Sequence, residues 1–257
     1  MSPFSRGNED STSIVISAVF LGMVALFAAW GSSSAVEYLA DEGSPGWIGL
    51  FINGAAMLAV SLVLVLASSM GDPSGFGFTR PKMGAGYGAG VTWGLLLGVL
   101  ASVLNLSAGG SGLVPLRGLS IVQVILLVWL LASVAEEVLV RGFVQSYLEP
   151  LSHIGFKAFG KRISLPVLLG ALFFSAMHLI LLTTGTSFLT VYVIMAFMFF
   201  LGLVTGYQRE RSGSILPSIV THISFNVGGL IGGIIYIIVQ IAVVGRTAAE
   251  VVGALGG

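Results

Sequence analysis

The chain has 257 residues, of which 56% are hydrophobic and only 9% charged, where a soluble globular protein carries about 25% charged residues. With a mean hydropathy of +1.01, that apolar surface exceeds what a soluble core absorbs, so membrane helices form the body of the protein. Eleven Lys and Arg balance eleven Asp and Glu, which gives no electrostatic footprint for nucleic acid, and the absence of cysteine excludes disulfides, thiolate nucleophiles and Cys-based metal or haem attachment.

Apolar runs of spanning length occupy residues 13–36, 46–70, 85–106, 118–148, 164–183 and 187–207. The first reads as a helix and not as a cleaved leader, because Glu9 and Asp10 stand in what would be the basic n-region and the run is long for a signal. A last run, 214–245, would reach about 48 Å as one helix against a hydrocarbon core of about 30 Å. Gly228, Gly229, Gly232 and Gly233 offer a break there. The expectation is an all-α polytopic helical bundle of eight spans, or seven if that run stays whole.

Alternate loops sort by charge. Arg6, then Arg80 and Lys82, then Lys157, Lys161 and Arg162, then Arg209 and Arg211 fall on one side; Glu37, Asp41, Glu42 and Arg117 fall on the other. The cation-rich side is expected to be cytoplasmic, with the N-terminus on it. Gly86, Gly90, Gly94 and Gly98 recur every four residues, a smooth face for close helix packing that the glycines at 228–233 repeat. Gly84-Ala85-Gly86-Tyr87-Gly88-Ala89 imitates a dinucleotide fingerprint but lacks the preceding strand.

The fourth run contains Glu136, Glu137 and Arg141. Charges at the bilayer centre cost about 2.5 to 3.5 kcal/mol each, and the eleven Leu, Ile and Val residues between Leu119 and Val134 return only about 3 to 7 kcal/mol, so these side chains must face the bundle interior or a water-filled cavity. Glu137 and Arg141 are four apart and can pair. Glu136 points about 100° away and is left over, a carboxylate available as a general base. The fifth run adds His178, and the last adds His222 and Asn226 at helical spacing. Counted from the cytoplasmic ends of their helices, Glu136, His178 and His222 lie about 18, 21 and 12 Å deep, close enough to share one site opening toward the cytoplasm. His153 lies in a loop and carries no role.

Glu-Glu-x-x-x-Arg at 136–141, Phe-x-x-x-His at 174–178 and His-x-x-x-Asn at 222–226, in this order on separate spans, resemble the type II CAAX prenyl endopeptidase family, within the wider CPBP or Abi group of CAAX-processing and bacteriocin-processing intramembrane proteases. The resemblance covers residues 118–245, a catalytic core, whereas 1–117 carry no recognised motif within what reads as one integral membrane domain. It implies that Glu136 and His178 activate the attacking water, that His222 and Asn226 line the site and stabilise the oxyanion, and that Glu137 and Arg141 position it. The implied partners are the lipid bilayer and a peptide or prenylated protein substrate. Residue types permit a Zn²⁺ site of Glu136, His178 and His222. A metal-free Glu136 and His178 pair is favoured, since catalytic zinc ligands are commonly spaced tightly on one helix. A proton-coupled transporter would also use intramembrane Glu and His, but the two halves show no matching broken helices. A catalytically silent immunity or scaffold protein could share the same fold.

Overall fold

The computed structural model describes residues 10–39, 45–82, 86–110, 119–158, 160–247 and 250. Arg6, Glu9, Asp41, Glu42, Arg117 and the Gly84-Ala85 pair lie outside them. Seven helices among the described residues are long and apolar enough to cross a membrane: α1 (Ser11–Leu39), α2 (Trp47–Ser68), α3 (Tyr87–Ser107), α4 (Ile121–Tyr147), α5 (Leu165–Thr183), α6 (Phe188–Ser212) and α7 (Leu216–Ala242). The protein is therefore an integral membrane helical bundle. Between α4 and α5 a short antiparallel hairpin pairs β1 (Gly155–Ala158) with β2 (Lys161–Ser164).

Local chemistry sets the helix ends. Ser120 caps α4 and forms a reciprocal capping box with Gln123, Ser164 accepts from the Val167 N–H at the start of α5, and Ser187 accepts from Thr190 at the start of α6. Gly213, with φ of 75°, ends α6, a left-handed conformation that costs glycine nothing.

The last apolar run is one continuous helix of 27 residues, not two spans. Its glycines serve packing. A Cβ at Gly228 would lie against the backbone of Leu95, and one at Gly232 against that of Val99, so α7 and α3 approach nearly backbone to backbone. A helix of about 40 Å then has to tilt or extend beyond the hydrocarbon. Arg209 also departs from expectation. The charge pattern puts it in a loop, yet α6 continues through it and buries it to 6% exposure. Its Nη2 donates to the carbonyl of Gly75 at 2.9 Å and to Ser146 Oγ at 3.0 Å, which fastens the 72–79 segment to α4.

Candidate active site

The fourth helix is not regular. Two π-helical segments, Val124–Ala132 and Val138–Val144, flank a single α-helical stretch, Ser133–Glu137. π-bulges are rare and concentrate at functional sites, because each re-aims the side chains that follow it. Here the intervening turn carries both glutamates.

The two carboxylates part as adjacent helical positions should. Glu137 is fully buried and Glu136 keeps 18% side-chain exposure. Glu137 Oε2 lies 3.2 Å from Arg141 Nε, the i, i+4 pair anticipated. Its other oxygen, Oε1, accepts from His222 Nδ1 at 3.0 Å, a contact that helical spacing on α4 could not disclose. Glu137 thus joins two helices.

Arg141 is held by more than that pair. Its Nη2 donates to the carbonyl of Gly202 at 3.2 Å. The missing Cβ matters at this point, because a side chain there would collide with Ala171 and crowd the guanidinium. The guanidinium also lies 4.3 Å from the centroid of the Phe174 ring, a cation–π contact worth about 2 kcal/mol when desolvated. Nη1 has no hydrogen-bond acceptor among the described residues.

Phe174, itself fully buried, stands edge-to-face to both histidines, with centroids 5.4 Å from His178 and 5.4 Å from His222. Where α5 tightens into a 3₁₀ turn over Met177–Thr184, His178 Nδ1 lies 2.8 Å from the Phe174 carbonyl. A carbonyl only accepts, so Nδ1 carries the hydrogen and Nε2 keeps a free lone pair. His222 Nε2 faces Glu136 Oε2 at 3.8 Å. Direct contact with Glu136 therefore comes from His222, while His178 stands within electrostatic reach of both.

Asn226 Nδ2 donates to Ser133 Oγ at 3.0 Å, and Ser133 is fully buried one turn before Glu136. That serine was not singled out from sequence, since a small residue in an apolar helix usually serves packing. All six residues expected at the site, Glu136, Glu137, Arg141, His178, His222 and Asn226, are brought together through these contacts.

For a metal, the available donors are Glu136 and the Nε2 atoms of His178 and His222. Among the described residues no group of three His, Asp or Glu side chains is arranged to hold an ion.

Residues 118–228 match the family model for the type II CAAX prenyl endopeptidases, Rce1-like, a family of proteases. The match begins before α4 and ends within α7, so it takes in all three motifs. No curated protein and no solved structure matches.

Proposed function

We propose that this protein is an intramembrane endopeptidase that hydrolyses a peptide bond near the C-terminus of a prenylated CAAX-type or other membrane-associated peptide, using water activated by Glu136 and His178. The observation that carries this reading is the division of labour between adjacent carboxylates. Glu137 is spent on Arg141 and His222, whereas Glu136 is partly exposed with no closer partner than 3.8 Å. That is the environment a general base requires.

The chemistry follows from the free atoms. Glu136, with His178 Nε2 as a second acceptor, takes a proton from water as its oxygen forms a bond to the scissile carbonyl carbon. Asn226 has one N–H committed to Ser133 and a second to offer the developing oxyanion. His222, held through Nδ1 by Glu137, turns Nε2 toward the same space and lines the site beside Asn226. When the C–N bond breaks, the proton held by Glu136 passes to the departing nitrogen, and the base is restored. No step calls for a metal.

The continuous α7 supports this reading over a transporter, which would be expected to carry broken helices at its binding site. The intact donor set supports catalysis over a silent scaffold. The loop cations support a site that opens to the cytoplasm.

The test is cleavage of a peptide library, with farnesylated and unprenylated CAAX termini as separate arms, by detergent-purified protein. Products should appear with wild type and vanish with Glu136→Ala. Equal turnover by the two proteins would sink the proposal. Cleavage of unprenylated peptides alone would keep the protease and reject the CAAX substrate.

A further inference from the structure

Away from the glutamates, the hairpin between α4 and α5 and the last turn of α6 enclose an open cleft of about 330 Å³ lined by Arg162, Tyr207, Glu210 and Arg211. The hairpin stands at the membrane boundary, because β2 ends at Ser164 and the spanning helix α5 begins at the next residue.

Arg162 is held firmly. Its Nη2 donates to the carbonyls of Ser152 and His153 at 2.7 and 2.8 Å, which leaves Nε and Nη1 without another partner among the described residues. Glu210, the single carboxylate lining the cleft, accepts from the Ser164 hydroxyl and acts on the buried Arg209. Neither cleft arginine forms an ion pair among the described residues, and Tyr207 adds a hydroxyl.

The strand register sharpens the point. Lys157 sits directly across from Arg162, a like-charge pair that destabilises a hairpin unless an anion lies nearby. The opposite face pairs Phe156 with Ile163. Phe156 and Ile154 expose 50% and 43% of their surface beside this basic patch. A cationic cleft edged with exposed apolar side chains at the membrane boundary matches an anionic phospholipid, with phosphate against the guanidiniums and acyl chains against the hydrocarbon side.

We infer that the cleft between the β1–β2 hairpin and the end of α6 binds the phosphate headgroup of an anionic phospholipid through Arg162 and Arg211. Membrane lipid is the occupant because the boundary position holds it at high local concentration, which a soluble phosphate or acidic peptide lacks. This site does not depend on the protease reading, and its readout involves no hydrolysis.

The experiment is native mass spectrometry of the full chain released from nanodiscs of equal phosphatidylcholine and phosphatidylglycerol. Wild type should retain phosphatidylglycerol over phosphatidylcholine by about tenfold or more, since each cation near the surface contributes about fivefold. Arg162→Gln with Arg211→Gln should bring the ratio near unity. Arg211→Gln alone, which removes no hydrogen bond of the fold, should lower it about fivefold and keeps the test open if the double variant misfolds. Arg80→Gln, equal in charge but on another loop, should leave the ratio unchanged.

No preference in wild type, or an equal loss with Arg80→Gln, would overturn the site in favour of diffuse attraction. Displacement of the lipid by millimolar inorganic phosphate would overturn the lipid as its occupant.

Discussion

Replacing Glu137 by glutamine alters a side chain that serves two partners at once. The new amide can still accept from His222 Nδ1 through its oxygen, but it then turns an N–H₂ toward Arg141 Nε, donor against donor. Arg141 is fully buried and lacks an acceptor at Nη1 among the described residues, so the variant leaves a charge in a low-dielectric interior with the Gly202 carbonyl, the Phe174 ring and the more distant Glu136 carboxylate. Breaking one side of a buried pair costs about 3 to 5 kcal/mol, a large share of the roughly 5 to 15 kcal/mol that holds a typical fold. At about 2 to 4 °C per kcal/mol for a chain of this size, the melting temperature should fall by about 10 °C. The assay is thermal unfolding of detergent-purified protein by intrinsic fluorescence, with monodispersity checked by gel filtration. Glu137→Gln combined with Arg141→Met should recover much of the loss, because removing both members strands neither. Melting of Glu137→Gln together with wild type, and no cost for Arg141→Met alone, would refute the claim that this pair anchors the site.

Glu136→Gln should leave the melting temperature within about 2 °C of wild type while lowering kcat at least about a hundredfold, the scale of a lost general base; retained turnover would move that role elsewhere. Ser133→Ala should reduce kcat about tenfold with little change in KM, because it frees the Asn226 carboxamide to rotate, and Ser133→Thr should restore most of the rate; an effect on KM alone would mean that Asn226 binds substrate instead. Purified protein should carry much less than one zinc per chain and keep its activity after chelation. Stoichiometric zinc, with activity lost to chelator and regained on adding Zn²⁺, would make His178 and His222 ligands. A reporter fused after Lys161 should be active as a cytoplasmic fusion, and the Asp41 loop should label from outside only; labelling from the cytoplasmic side would reverse the topology.

The spans were readable in the sequence to within a few residues because membrane helices announce themselves by composition, independent of what packs on them. The last run leaves the choice between two spans and one open, because glycines four apart are compatible either with a break or with a close helix contact. Only the partner helix α3 decides between these. The charge of Arg209 points to a loop, whereas its burial depends on the distant Gly75 carbonyl and Ser146, which no local pattern reveals. At the site, residue types and spacing single out six side chains that the bundle brings together, and the Glu137 and Arg141 pair is legible because both lie on one helix. The Glu137 to His222 bond and the Ser133 to Asn226 bond cross from α4 to α7, so they depend on a packing geometry that the sequence does not print. The π-helical segments left no compositional trace in an otherwise ordinary Leu and Val run.

The seam between α3 and α7 bears on how the catalytic motifs could be separated from the rest of the chain. Gly94 and Gly98 of α3 come against Thr221 and Phe225, neighbours of His222 and Asn226, and the seam continues through Gly228 and Gly232 beyond the end of the family match. The helix that presents two of the site residues thus leans, along the very turns that present them, on a helix that bears no motif. An excised fragment spanning 118–228 would lose the later turns of α7 and would show lipid the α7 face that α3 now covers, leaving the turns that carry His222 and Asn226 held from α4, α5 and α6 alone. In this protein the part without signature residues acts as the jig that holds the signature residues in register.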